Sequence, residues 1–266
     1  VLFQAVHRHR GTLTWLPNFA FNHCARNVRD RDLVGVDLSR WRVINAAEPV
    51  RWESHRLFLE RFGRYGFTGR ALAVAYGMAE ATLFVTATPI GESPHVDWVE
   101  IRALQEGRRA LPAAPEAAGS TPMTSCGFPI EGAEIGIVDD EGQRLPERWV
   151  GEIVVRAHCL FSGYYLRPDL DAKVLRDGWY FTGDMGYLAD GQLYVSGRKN
   201  DLIIVEGKTI DPNGLEAIAN EVPGVSPELA AKLVAAGRKA RLLKDHGLEE
   251  ATSTRALVYA ANMMMA

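Results

Sequence analysis

Residues 177 to 212, DGWYFTGDMGYLADGQLYVSGRKNDLIIVEGKTIDP, place an acid at a turn, a basic strand end and a glycine-bearing loop close together. Asp184 follows Gly183, so a residue that tolerates left-handed backbone angles can turn the chain beneath the carboxylate. An acid presented that way suits paired hydrogen bonds to a vicinal diol such as ribose, and Arg198, at the end of YVSGR, could reinforce the site. The plain structural alternative is that Asp184 satisfies backbone N–H groups of its own turn, as aspartate often does. Lys208, in EGKT, looks like the end of a phosphate-binding loop, but that pattern requires glycine at 202, where Leu202 stands, and the reading fails.

A second constellation is VAYGMAEATLF, residues 74 to 84. An apolar strand runs into Tyr76 and Gly77, then Glu80 and Thr82, so a ring, a turn, a carboxylate and a hydroxyl gather at a strand's carboxyl end, where α/β sheets bind ligands. A nucleotide would fit there. Tyr76 could stack on a purine, Glu80 could hold Mg²⁺ through oxygen, and loop N–H groups could face phosphate. A packed tyrosine and a solvated glutamate at a helix start are the rival reading.

Periodicity indicates the elements that must position these groups. RLFLERFGRYGF (56 to 67) spaces Leu57, Phe58, Phe62 and Tyr65 as a helix, while WRVINAA (41 to 47) and ALAVAYG (71 to 77) read as buried strands leading into loops. The α/β pattern of residues 1–118 breaks at ALPAAPEAAGSTP (110 to 122), a Pro/Ala/Gly-rich link that marks a boundary. Over 119–198, AEIGIVDDEGQRL, VGEIVVRAHCLFSGYY and two Asp-Gly turns predict a small antiparallel sheet or barrel. DLIIVEGKTIDP predicts a hairpin and NGLEAIANEV a helix start within 199–225. The fold class expected is α/β with a small β-rich subdomain, followed by a helical tail over 226–266.

Composition limits the function classes. The 266 residues are 47% hydrophobic with a net charge of −3, which suits a globular chain and gives no general electrostatic reason to bind nucleic acid or an anionic membrane. No apolar run approaches the roughly 20 residues of a membrane span, and VLFQAVHRHR lacks a signal-peptide core, so a cytoplasmic location is expected. Cys24, Cys126 and Cys159 have no paired short spacing and no histidines have metal-ligand spacing, so reduced structural thiols are expected. A first residue of Val1 that enters a periodic segment at once suggests an excerpt from something longer.

Taken together, YGMAEAT, GFPIEG (127 to 132), GEIVVRAHCLFSGYY (151 to 165), GWYFTGD (178 to 184) and SGRKNDLIIVEGKTIDP (196 to 212) resemble the ordered core motifs of adenylate-forming acyl-activating enzymes. With WLPNFAFNH (15 to 23) and INAAEPV (44 to 50), the wording is closest to the fatty acyl-AMP ligases, over about residues 1–225. The resemblance implies a fragment of that family's large domain and a reaction of a fatty acid with ATP and Mg²⁺ to give acyl-AMP and pyrophosphate. It implies that Tyr76 and Gly77 meet adenine with Ala47 and Glu48, that Glu80 binds Mg²⁺, and that Asp184 grips the ribose hydroxyls with Arg198. Asn200 would be the hinge between half-reactions, and Phe19, Phe21 and His23 would line the acyl side, with aromatic core packing as the rival. An acyl carrier protein or polyketide synthase is the implied acceptor. Ala79 departs from the wider superfamily's threonine, with Thr82 as a candidate substitute for a phosphate contact.

Neither the family's Ser/Thr/Gly-rich phosphate loop nor its proline-to-Gly-Lys segment, which carries the catalytic lysine, occurs in residues 1–266. A poor catalyst is therefore expected from this chain. From about residue 226 the sequence reads as two helices with Ser226 as N-cap, and GLEEATSTRALVYAA resembles the helical lid of MoxR-type AAA+ ATPases, Arg255 matching the nucleotide-sensing arginine. A junction near Val225 between pieces of two proteins is the plainest account, beside a natural fusion or a coincidental helical hairpin.

Overall fold

Apolar residues at helical spacing form α1 (Leu2–His9), which buries Phe3 and Val6 and keeps His7, Arg8 and His9 in its last turn, at the negative end of the helix dipole. The computed structural model describes residues 2–199, 203–205 and 208–210. Beyond α1 the chain alternates strand and helix: β1 (Leu13–Leu16), α2 (Asn18–Asn27), β2 (Arg42–Asn45), α3 (Trp52–Phe62) and β3 (Leu72–Tyr76). β1, β2 and β3 pair in parallel, Leu16 opposite Asn45 and Asn45 opposite Val74. All five residues of β3 are buried, as expected of an unbroken apolar strand with both faces covered. β4 (Thr86–Ala87) returns antiparallel along β3.

An aromatic core fills the space between the helices and this sheet. Phe3 stacks on Phe62 at 4.5 Å and meets Trp41 edge-on at 5.5 Å, and Phe58 lies 4.5 Å from Phe62 and 5.0 Å from Phe21. Each such ring contributes about 2 to 3 kcal/mol through burial, with about 0.5 to 1.5 kcal/mol more per well-placed ring pair. This cluster holds α1, α2 and α3 against β2.

The second part of the chain is strand-rich, as the turn chemistry predicts. It runs through β5 (Val96–Glu100), α4 (Ile101–Glu106), β6 (Ser120–Thr124), β7 (Phe128–Pro129), β8 (Ala133–Val138), β9 (Gly151–Ala157), α5 (Pro168–Val174), β10 (Leu175–Arg176), β11 (Trp179–Ala189) and β12 (Gln192–Arg198). β10, β11, β9 and β8 form a sheet in that order, and β12 pairs with β11. Both Asp-Gly pairs make two-residue hairpin loops. Asp177 and Gly178 have φ of 49° and 78°, and Asp190 and Gly191 have 51° and 72°, the left-handed pair that suits the twist of antiparallel strands.

The link at 110 to 122 does not separate the two parts. Residues Val1–Leu104 and Arg108–Ser196 belong to one compact unit. Within the link, Ala110 N donates to Arg148 O, Ala113 N donates to Trp98 O, and Ser120 begins β6, which pairs with β5. Proline and alanine erase side-chain periodicity there, but the backbone still finds partners. β7 also crosses the expected boundary by pairing with β4, and one apolar cluster, including Val74, Tyr76, Val85, Ile137, Ile153 and Leu193, joins the two sheets.

The other unit comprises Gln105–Gly107 and Gly197–Ala266. In it β13 (Ile203–Val205) and β14 (Lys208–Ile210) form the expected antiparallel hairpin, Ile203 opposite Ile210. Asn200, the helix expected from NGLEAIANEV, Arg255 and the whole tail lie outside the described residues. Among the described residues no helix is long and apolar enough to cross a membrane.

Candidate functional site

Because β1, β2 and β3 run parallel, the loops that follow them emerge on one edge of the sheet, the edge where α/β folds bind ligands. Phe19 follows β1, Ala47 and Glu48 follow β2, and Gly77 and Glu80 follow β3. The loop after β3 is tight: Val85 N donates to Tyr76 O at 2.8 Å. A Cβ at Gly77 would collide with the Leu83 carbonyl oxygen and the Phe84 Cα, so only glycine fits.

Asp184 reaches this edge from the other sheet by a bulge. Phe181 pairs with Val154 and Met185 with Glu152, so Thr182, Gly183 and Asp184 together oppose Ile153 alone. Gly183 takes φ of 73°. The bulge is held by its own polar groups: Thr182 Oγ1 donates to Ile153 O at 2.8 Å and accepts from Asp184 N at 3.0 Å, and Gly183 N donates to Glu152 Oε1 at 3.1 Å. The carboxylate is half-buried and accepts the Tyr76 hydroxyl at 2.7 Å on Oδ2, across 108 residues of sequence. Burial first, and the charge of Asp184 second, raise the Tyr76 phenol above its ordinary value, so it stays a donor.

Glu80 is fastened by groups that the sequence reading passed over. Its Oε1 accepts the Tyr164 hydroxyl at 2.6 Å, the Tyr180 hydroxyl lies 3.4 Å from that of Tyr164, and Phe161 N donates to Glu80 O at 2.7 Å. Phe161 packs edge-on against both tyrosine rings, at 4.8 and 5.6 Å. Burial and the bond to Glu80 raise the Tyr164 phenol. Tyr164 and Tyr180 stand inside quoted motifs, SGYY and GWYFTGD; their hydroxyls beside a distant acid were the available signal, but no spacing rule links them to Glu80. Thr82, at φ of 68°, donates its hydroxyl to Cys159 O at 3.3 Å.

The loop after β2 is tied to the start of α2. Glu48 Oε1 accepts Phe19 N at 2.6 Å, an N-terminal helix amide meeting an acid. Ala47 has φ of 78°, a left-handed strain of about 1 to 2 kcal/mol for a residue with a Cβ. Beneath this loop lies a buried polar network. Asn18 Oδ1 accepts from Arg51 N at 3.1 Å and Asn45 Nδ2 at 3.2 Å, Asn18 Nδ2 donates to Ser54 Oγ at 3.0 Å, and Asn45 Nδ2 lies 2.9 Å from His55 Nε2. Burial lowers the His55 imidazole to about 4, so it is held neutral.

The three expected acyl-side residues separate. Phe19 is 64% exposed and His23 is exposed four residues on, so both share one face of α2. Phe21 is fully buried on the opposite face, 5.1 Å from His55 and 5.0 Å from Phe58, so its side chain serves the aromatic core. Arg198 ends β12 and belongs to the other unit.

Three comparisons bear on this arrangement. Residues 1–165 match the family model described as AMP-binding enzyme, and residues 215–266 match one described as CbbQ/NirQ/NorQ C-terminal. The medium-chain-fatty-acid–[acyl-carrier-protein] ligase JamA of Moorena producens is 37% identical over 226 residues, covering 80% of this chain and 38% of that ligase. The long-chain-fatty-acid–AMP ligase FadD32 of Mycolicibacterium smegmatis is 34% identical over 235 residues, covering 79% of this chain and 37% of that ligase. A solved chain from work on fatty acyl-adenylate ligases from E. coli and L. pneumophila superposes with a TM-score of 0.78 at 33% identity, covering 83% of this chain and 40% of that one. The chain thus spans about two fifths of the length of these relatives. With its parallel-strand edge and its motifs in order, this chain belongs to the AMP-binding enzyme family.

Proposed function

We propose that this chain carries the adenine- and ribose-binding side of an enzyme that activates a long-chain fatty acid with ATP. In that reaction a carboxylate oxygen attacks the α-phosphorus, the acyl–phosphate bond forms, the bond to the β-phosphate oxygen breaks, and pyrophosphate leaves. The observation that carries the reading is the Tyr76–Asp184 hydrogen bond, which joins two motifs far apart in sequence at the carboxyl edge of the parallel strands. Tyr76 and Gly77 would meet adenine with Ala47 and Glu48, and Asp184 would accept the ribose hydroxyls. Phe19 and His23 would face the acyl chain, and Asn200 would serve as the hinge toward residues 201–225. An acyl carrier protein or a polyketide synthase would be the acceptor; that the JamA relative is an acyl-carrier-protein ligase supports the carrier protein.

Glu80 is the residue proposed to hold Mg²⁺. Among the described residues no group of three or more His, Cys, Asp or Glu forms a cation cage. A single carboxylate supplemented by nucleotide phosphates and water is the set that Mg²⁺ commonly takes. When bound, the ion would stabilise negative charge on the phosphates.

The same reading makes this 266-residue chain a poor catalyst, because its sequence holds neither a Ser/Thr/Gly-rich phosphate loop nor a proline-to-Gly-Lys segment. Each lost electrostatic contact raises the barrier by about 3 to 4 kcal/mol, so two slow the reaction roughly 10⁴-fold or more. That deficit supports a second reading, a nucleotide-binding or scaffold protein without turnover. Pyrophosphate release with ATP, Mg²⁺ and a long-chain fatty acid separates the two: turnover supports the enzyme, and nucleotide binding without turnover supports the scaffold. Turnover equal to that of a full-length relative would show that the catalytic groups have been misassigned.

A further inference from the structure

We propose that the Tyr76 hydroxyl sets the ribose selectivity of this site, by fixing the Asp184 carboxylate in the orientation that meets a vicinal diol. The inference rests on the nucleotide reading above and assigns Tyr76 a role that its ring does not supply. Tyr76 ends β3 with its ring buried, and its hydroxyl reaches Asp184 Oδ2 at 2.7 Å, a length typical of a charge-assisted bond. An aspartate on a three-residue bulge needs such a tie. The backbone beneath Asp184 is held by Thr182 and Glu152, and those bonds fix the peptide rather than the carboxylate. The phenol restrains the carboxylate from a rigid, fully buried strand of the other sheet.

The geometry divides the work of one residue between two recognitions. A stacked ring is indifferent to the sugar, whereas a carboxylate held in one rotamer gains most from two hydroxyls presented together and loses when either is missing. Truncating the ring would remove both effects, while removing only the hydroxyl should remove ribose discrimination and leave base recognition. Tyr76 is therefore a positioning residue with respect to ribose.

The test is titration calorimetry of this chain with AMP, 2′-deoxy-AMP, 3′-deoxy-AMP and free adenine, for the wild type, Tyr76→Phe and Asp184→Asn. The wild type is expected to prefer AMP over either deoxy analogue by about tenfold, the worth of one hydrogen bond to a charged group. In Tyr76→Phe that preference should fall to about twofold or less while adenine binds as before, and Asp184→Asn should lose the preference in the same way. A Tyr76→Phe chain that keeps the full preference overturns the proposal and leaves Asp184 as the ribose acid. A Tyr76→Phe chain that loses affinity for AMP and adenine equally also overturns it, because the residue then acts through its ring environment alone. A wild type that binds AMP without preference, or does not bind it, removes the ribose or nucleotide reading and this inference with it. Should Tyr76→Phe fail to fold, the Tyr76 hydroxyl proton of the wild type decides by NMR. It should resonate as a protected proton, be lost in Asp184→Asn, and shift on adding AMP but not adenine; an unmoved resonance overturns the proposal.

Discussion

Asp97 and Asp184 each accept a tyrosine hydroxyl, from Tyr187 at 2.9 Å and from Tyr76 at 2.7 Å, but their surroundings differ. Asp97 sits in regular ladder register on β5, opposite Met123, is only 6% exposed, and also receives Arg148 NH1 at 3.0 Å. The Tyr187 ring stacks on Tyr194 at 4.8 Å, and the Tyr194 hydroxyl lies 2.8 Å from His95 Nδ1. Asp184 instead stands half-buried on a bulge with a left-handed glycine, at the sheet edge where loops gather. A buried acid with a cation and a phenol on the same oxygen is committed to holding strands together. An acid lifted from its ladder toward a loop-lined edge is placed to meet something else. The phenol alone does not distinguish the two roles; backbone register and exposure do.

That comparison breaks first at Arg148. Removing the cation leaves Asp97 charged and buried, so Arg148→Ala should cost about 3 kcal/mol of stability, read as a lowered urea midpoint, with AMP affinity unchanged. A loss below about 1 kcal/mol would mean that Asp97 is better solvated than its burial implies. A cost nearly as large is expected from pH at His55, a buried base without such a cation. Its folded value lies near 4 because burial opposes the charged form, whereas the unfolded chain binds the proton near 6.5. Its neutral state is therefore fully compatible with folding above about pH 6.5, and stability falls by about 3 kcal/mol as pH drops from 6.5 toward 4. His55→Gln should flatten that part of the stability–pH curve, and an unchanged slope would assign the acid sensitivity to other groups.

The site side of the comparison predicts smaller effects, on binding first and on stability second. Asp184→Ala should weaken AMP binding by about 1.5 to 3 kcal/mol while leaving the fold intact, and calorimetry showing unchanged affinity would remove Asp184 from the site. The smallest effect belongs to Tyr164→Phe, which deletes one hydroxyl from Glu80 and should lower stability by about 1 kcal/mol in urea unfolding. A loss as large as that of Arg148→Ala would place Glu80 among the structural acids with Asp97.

The elements that local chemistry controls were legible in the sequence. Alternation and apolar runs place β2 and β3 inside WRVINAA and ALAVAYG, helical spacing places α3 within a few residues, and the two Asp-Gly pairs form the hairpin loops that their backbone preferences demand. At the link, 110 to 122, proline and alanine carry no periodic side-chain signal, and its backbone pairing to Trp98 and Arg148 leaves no trace in residue type.

By itself the sequence determined the family, through several motifs in order, and the chemistry available at Tyr76, Glu80 and Asp184. Only the tertiary structure decided which groups meet. Tyr76 and Asp184 are 108 residues apart and Glu80 and Tyr164 are 84 apart, so each pairing depends on strand order, a bulge and the apolar cluster between two sheets. It also decided that Phe21 faces the core while Phe19 and His23 face outward, since a helix turned through half a revolution separates residues that look alike in a string. Local preferences act over a few residues and are written in each residue type. Contacts across the fold arise from packing that no single residue specifies.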